Sequence, residues 1–351
     1  MKAAVFHGVG DVRVEDVPEP VVRPGTVKIE VSWCGICGTD LHEYHSGPVF
    51  VPTEPHPVTG DTLPVVMGHE FSGTVVEIAD DVTGLAVGDR VAVEPVLSCG
   101  RCPGCRRGLP NLCRDIGFHG ISGGGGGLAE RTVVPASATH VLPPDLDDEQ
   151  GALVEPMAVG FHAGRVAGLT LGDTVFVLGA GPIGLVTLLV ARAAGARRIV
   201  VSEVSPARRE RAGRLGAHAV LDPRRTDVVA EVRRLTGDAG ADVALDCAGT
   251  AETWDTALAA TRVTGTVVSV AVWEKPIETD LNRLVLTEQR VTGSVCYAGD
   301  DFPTTIALMA DGRLPTDHLV TRRIALDDVV AQGFEELLAH RDRQVKILVR
   351  P

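Results

Sequence analysis

The sequence predicts an α/β protein: a doubly wound parallel sheet, joined to a mainly β domain that is discontinuous in the chain. Three observations carry this. Residues 174–203 read as strand, glycine turn, helix, strand and terminal acid. Strands and helices then alternate as far as about Gly293, which implies a parallel sheet covered on both faces. Before residue 155 the patterning is that of strands, and after 293 the alternation breaks. The expected division is 1–155 with 294–351 for the β domain and 156–293 for the parallel sheet.

Length and composition set the bounds. The 351 residues are enough for two domains, and 44% hydrophobic with 23% charged residues is ordinary for a globular protein. A net charge of −13 argues against a nucleic-acid partner and favours solubility. The run Met1 to Phe6 soon meets charge and reads as a strand, not a leader. No stretch of about 20 apolar residues exists, so no membrane span is expected. Eight cysteines in such a chain suggest metal or catalysis and a cytoplasmic protein.

Along the first domain, Val12–Val14 and Val27–Val31 alternate as half-buried strands do, punctuated by Pro18, Pro20 and Pro24-Gly25. Residues 44–64 are rich in Pro and His, show no period, and read as a loop rimming a substrate site. His42, His45 and His56 fall in or beside it. Strands are expected at 71–78 and 90–93. Cys99, Cys102, Cys105 and Cys113 follow with the spacing C-x2-C-x2-C-x7-C. Two-residue gaps let thiolates fold around one ion, so structural zinc is expected; an iron–sulfur cluster and a disulfide knot are the rivals. The five glycines 123–127 read as a flexible, permissive loop. Strand character returns over 129–142, and a helix is expected from about Glu149 into Glu155-Pro156.

Thr174–Leu178 is a short apolar strand. Gly179-Ala-Gly181-Pro182-Ile183-Gly184 follows, then a helix to Ala194 and a strand ending at Glu203. This is the G-x-G-x-x-G turn in the setting that a Rossmann dinucleotide site requires. Gly179 permits the turn, Gly181 lets backbone approach a pyrophosphate, and Gly184 lets the helix pack on the strand. The helix N-terminus offers free N–H groups to phosphate. Glu203 should accept hydrogen bonds from the adenosine ribose and repel a 2′-phosphate, which favours NAD over NADP. Arg208 and Arg209 weaken that preference, since arginine can welcome the phosphate. Strands at 219–221, 242–246 and 263–270 and helices at 226–235 and 252–260 continue the sheet. Helices at 302–310 and 326–340 and a strand at 345–349 are expected in the tail.

The remaining chemistry lies between Cys34 and Glu70. Cys37, His69 and Glu70 offer the thiolate, imidazole and carboxylate that Zn²⁺ accepts while keeping a position open. A metal that polarises an alcohol oxygen beside a nicotinamide implies reversible oxidation of a secondary alcohol. Thr39 could bond the substrate oxygen, or serve only as a turn hydroxyl. His42 could pass the proton to solvent through the cofactor ribose.

Gly35-Ile-Cys-Gly-Thr-Asp-Leu-His42, Gly68-His-Glu70, the four-cysteine loop and the glycine turn occur in this order. In them the chain resembles the zinc-dependent medium-chain alcohol dehydrogenases over nearly its whole length. Thr39–Tyr44, Gly47-Pro48, His56–Gly60, Gly68–Gly73, Val272-Trp-Glu-Lys-Pro276, Val291–Ser294 and Gln344–Val349 look most like the (R,R)-2,3-butanediol dehydrogenases. The resemblance implies a GroES-like catalytic domain beside the Rossmann domain, and homodimers or homotetramers. It implies Cys37, His69 and a carboxylate as catalytic zinc ligands, with Glu70 and Glu155 competing or a water in their place. It also implies a small-molecule diol or hydroxyketone as substrate. A polyol or simple secondary alcohol is the alternative, and a non-catalytic NAD-binding protein the remote one. Trp273, Phe118 and the 44–64 loop are candidate pocket walls.

Overall fold

The computed structural model describes residues 1–273 and 275–351; Glu274, part of the Trp273–Pro276 run, lies outside them. The chain forms two compact units. One comprises Met1–Glu155, Ala298–Gly312 and Val320–Pro351, and the other Pro156–Tyr297 and Arg313–Leu319. The return to the first unit therefore falls at Ala298 and not at 294, and residues 313–319 pack with the second unit. One reason is that Ser294 still continues the second unit's sheet, its N–H donating to Ser269 O at 3.0 Å.

The second unit is built on a six-stranded parallel sheet. Its spatial order is Ala219–Leu221, Arg198–Ser202, Thr174–Leu178, Ala241–Asp246, Thr261–Ser269, Arg290–Gly293. All five residues of Thr174–Leu178 are buried, as a central strand covered on both faces must be. It pairs on one side with Arg198–Ser202 and on the other with Ala241–Asp246, so the strand order reverses at its end. That reversal is where doubly wound sheets bind ligands. Phe176, Val200, Val232, Ala244, Leu258 and Val267 fill the core between this sheet and its helices.

The first unit is mainly antiparallel. Its large sheet runs Thr139–Val141, Arg90–Val93, Glu70–Ile78, Thr26–Gly35, Lys346–Arg350, Val320–Ala325, with Arg131–Pro135 also paired to Thr26–Gly35. Val27, Ile29, Phe71, Val75, Val91, Ile347 and Val349 form its core. Two registers matter for function. Gly35 stands opposite Glu70, and Leu348 opposite Gly35. The ends of three neighbouring strands thus bring residues 35–37 and 69–70 together with 346–348, of which Lys346 lies 276 positions from Glu70 in sequence.

Three local expectations are corrected. The loop expected over 44–64 starts later, because residues 44–46 close a helix, Gly38–Ser46. The expected helix 326–340 is broken into a 3₁₀ turn Leu326–Asp328, a π-helical stretch Val329–Phe334 and an α-helix Glu335–Ala339. Gly333 lies in that stretch against Ile36, where an added Cβ would come within 2.6 Å of the Ile36 side chain. The five glycines 123–127 are packed, not free. A Cβ on Gly126 would fall 2.3 Å from Met67 O, and one on Gly127 2.5 Å from the Phe71 ring. The run lies against the backbone that carries His69, with Gly127 N–H donating to Gly68 O at 2.7 Å.

Candidate active site

Cys37 is the N-cap of the helix Gly38–Ser46, and His69 directly precedes the strand Glu70–Ile78. One ligand atom each from Cys37, His69 and Glu70 lies within 4.8 Å of the others, with His69 and Glu70 buried. A thiolate, an imidazole and a carboxylate so placed fit a single zinc ion. Glu155 is not part of this triplet. It sits, buried, in the first turn of the helix Val154–Ala167.

Two residues of this site escaped the sequence reading. Asp40 is fully buried; its Oδ2 accepts the Cys37 N–H at 2.9 Å, and its Oδ1 lies 3.5 Å from His69 Nδ1. An acid behind a ligating imidazole fixes the ring's orientation. Burial disfavours charge on His69, but Asp40 and the Cys37 sulfur outweigh it and hold the imidazole pKa well above its ordinary value. The signal for Asp40 was its place three residues after Cys37, inside a first helical turn. The second is Lys346. Its buried ammonium donates to Glu70 Oε1 at 2.7 Å, Glu70 Oε2 at 2.5 Å and Ile36 O at 3.1 Å. Burial works against that charge, yet Glu70, Cys37 and Glu155 raise the lysine pKa above its usual value. Gly35 makes room for the pair, since a Cβ there would stand 2.3 Å from Glu70 Oε2. No local pattern marks Lys346, because only the strand register brings it to Glu70.

Thr39 Oγ1 lies 3.8 Å from Cys37 Sγ. Thr39 and His42 are three apart on the helix Gly38–Ser46 and share one of its faces. Both are partly exposed, as groups that meet a substrate must be.

Cys99, Cys102, Cys105 and Cys113 also bring their sulfurs within 4.8 Å of one another. Tetrahedral zinc with bonds of about 2.3 Å places sulfurs about 3.8 Å apart. The Cys102–Cys105 separation of 3.5 Å suits that and is far too long for a disulfide. The N–H groups of Cys105 and Arg114 point at Cys102 Sγ and lower its thiol pKa to about 6, whereas burial raises that of Cys113. Amides aimed at sulfur favour the thiolate that a metal needs.

In the second unit Gly179 has φ +88°, where a side chain would be strained, and a Cβ on Gly184 would stand 1.9 Å from Gly179 O. Gly181 caps the helix Pro182–Ala193 without a side-chain acceptor, leaving the first turn, with Pro182 and Ile183, open to an anion. Glu203 is buried at the end of its strand. Its Oε2 accepts Ala180 N–H and its Oε1 Ser205 N–H, both at 2.7 Å. Arg208 reaches back to the turn, its Nη1 3.7 Å from where a Gly181 Cβ would be. Arg209 is engaged elsewhere, with Glu203 O, Val204 O and Asp222. Trp273 stays with its own unit, edge-on to Trp254 and bonded to Ser269 Oγ.

A metal-ligand triplet, a four-thiolate cluster and a dinucleotide turn on this pair of folds define a zinc-dependent dehydrogenase. Residues 23–144 match the alcohol dehydrogenase GroES-like domain and residues 182–311 the zinc-binding dehydrogenase family. The chain belongs to the zinc-dependent medium-chain alcohol dehydrogenase family of enzymes. It is 46% identical to (R,R)-butanediol dehydrogenase of Bacillus subtilis, with both chains covered completely. The crystal structure of the 2R,3R-butanediol dehydrogenase from Bacillus subtilis superposes with a TM-score of 0.94, covering 100% of this chain and 99% of that one. Sorbitol dehydrogenase of Bombyx mori is 37% identical over 93% of this chain and 92% of its own. A zinc-binding dehydrogenase from Sinorhizobium meliloti 1021 bound to NADP, 36% identical, has a TM-score of 0.91 over 100% of this chain and 99% of its own.

Proposed function

We propose that this enzyme uses zinc and NAD to interconvert a vicinal diol and an α-hydroxyketone, with (R,R)-2,3-butanediol and acetoin as the pair and diacetyl reduction as a further activity. The observation that carries the reading is the convergence of Cys37, His69 and Glu70 in a chain 46% identical to a butanediol dehydrogenase. When bound, the zinc lowers the pKa of an alcohol and the nicotinamide takes its hydride. Cys37, His69 and Glu70 hold the ion, and the charge of Glu155 helps keep the Lys346 ammonium protonated. The Thr39 hydroxyl orients the substrate oxygen and accepts its proton while donating its own toward His42. His42, a turn along the same helix face, releases a proton to solvent.

Gly179, Gly181, Pro182, Ile183 and Gly184 seat the pyrophosphate and Glu203 the adenosine ribose. NAD is the favoured cofactor because the Glu203 carboxylate repels a 2′-phosphate and Arg209 is already paired. A homodimer or homotetramer is the assembly proposed, because the edge strand Arg290–Gly293 lies beside the exposed Leu286, Val291 and Val295. The eight unbridged cysteines suit a reducing cytoplasm.

The test is NAD⁺ reduction with each 2,3-butanediol stereoisomer, 2-butanol and sorbitol, with and without a chelator, and with NADP⁺ in parallel. The (R,R) diol should turn over fastest, with NAD⁺, and chelation should abolish turnover. Sorbitol or 2-butanol turning over as fast as the diol would favour the polyol or general alcohol reading instead.

A further inference from the structure

The loop after the helix Gly38–Ser46 is fastened at both ends. At its start, the fully buried Glu43 accepts N–H bonds from Val49 at 2.8 Å, Phe50 at 2.6 Å and Val51 at 3.4 Å. Val51 turns into the core, while Val49 and Phe50 are left exposed. Two apolar side chains held rigidly in the open, just beyond the helix that carries Thr39 and His42, suit a wall for an apolar part of a substrate.

At its far end the loop is tied to the segment that leaves the four-cysteine cluster. Val58 N–H donates to His56 Nδ1 at 3.3 Å, which fixes the tautomer, so His56 Nε2–H donates to Ile116 O at 3.3 Å. Thr59 Oγ1 donates to Ser122 O at 2.7 Å, and Asp61 Oδ2 accepts Gly124 N–H at 2.7 Å. Phe50 meets Phe118 edge to face at 6.0 Å. The loop closes on itself through His56 N–H to Asp61 O and Gly60 N–H to His56 O. On the other side, Arg114 and Asp115 N–H groups bond Cys102 and Cys113 sulfurs, and Gly117-Phe118 pairs with Val96-Leu97. The stretch 114–124 is thus anchored in the cysteine cluster at one end and in the loop along its length.

We propose that His56 and Asp61 are positioning residues that clamp residues 47–64 onto 114–124, so that the four-cysteine lobe sets the wall formed by Val49, Phe50 and Phe118. The proposal rests on the diol dehydrogenase reading for its substrate, but the clamp itself does not. A wall fixed before substrate arrives avoids the ordering cost of a free loop on binding. The loop therefore governs substrate affinity and leaves cofactor binding alone.

His56→Ala and Asp61→Ala are made in the full zinc-loaded protein, with Asp61→Asn as the variant that keeps an acceptor oxygen. Each Ala variant should raise the diol KM about tenfold, change kcat by less than about threefold, and leave the NAD⁺ KM and the zinc content unchanged. Asp61→Asn should return the diol KM to within about twofold of the parent. Hydrogen exchange gives a readout independent of turnover: the amides of Val49, Phe50 and Val51 should lose protection in the Ala variants. Unchanged protection overturns the clamp, whatever the substrate proves to be. So does a diol KM that stays put, or one that rises together with the NAD⁺ KM and zinc loss. If the parent turns over no diol while the exchange result holds, the substrate reading falls and the clamp stands.

Discussion

His119 shows how one buried side chain writes a pH dependence into the fold. It is 2% exposed, bonds Thr132 Oγ1 through Nε2 at 2.8 Å, and packs against Phe71 and the glycine run. Burial pushes its pKa down to about 4 from an ordinary 6.5. Between these values the unfolded chain binds a proton that the folded one refuses. Its stabilising contribution is therefore complete above about pH 6.5 and is lost as pH falls toward 4, by up to roughly 3 kcal/mol. Urea unfolding at pH 7 and pH 5 should show a clear loss for the parent and a smaller one for His119→Gln. Equal slopes with pH would remove His119 as the cause.

At the scale of elements, the dinucleotide turn depends on contacts too close for any Cβ. Gly184→Ala would drive a methyl into Gly179 O and push the helix Pro182–Ala193 off its strand. NADH affinity, followed by fluorescence, should fall at least about tenfold while zinc content holds. Unaltered affinity would mean that the helix N-terminus does not seat the phosphates. The glycine run 123–127 makes the same physical point by a different route. Its composition resembles that of a flexible loop, but the structure uses the missing side chains to bring backbone against Met67 and Gly68. From sequence, glycine needed for freedom and glycine needed for close approach look alike.

For the whole molecule, the exposed edge of the second unit's sheet is the face we propose for assembly. Among the described residues, the strand Arg290–Gly293 pairs on one side only, with Thr261–Ser269. Around it Leu281, Val285, Leu286, Val291 and Val295 are exposed, Leu286 by 82%. An unpaired strand edge flanked by apolar side chains invites a second copy. Light scattering should report at least twice the chain mass for the parent, and a shift to the monomer for Leu286→Glu combined with Val291→Lys. A parent that is already monomeric would leave this edge without a partner of its own kind.

The sequence by itself determined what lies in local pattern. The parallel sheet, the Gly179–Gly184 turn and the cysteine spacing were legible because each rests on neighbours within a few positions, where period and steric need leave a direct trace. Cys37, His69 and Glu70 were legible as one zinc-binding set from their chemistry and motifs, though the strand register that brings them together was not. Only the tertiary structure decided that Glu70 lies opposite Gly35 and against Lys346, that Asp40 backs His69, and that Glu155 stands outside the ligand triplet. These contacts join residues up to 276 positions apart through strand register. Register is fixed by the packing of a whole sheet, so no single stretch of the chain records it.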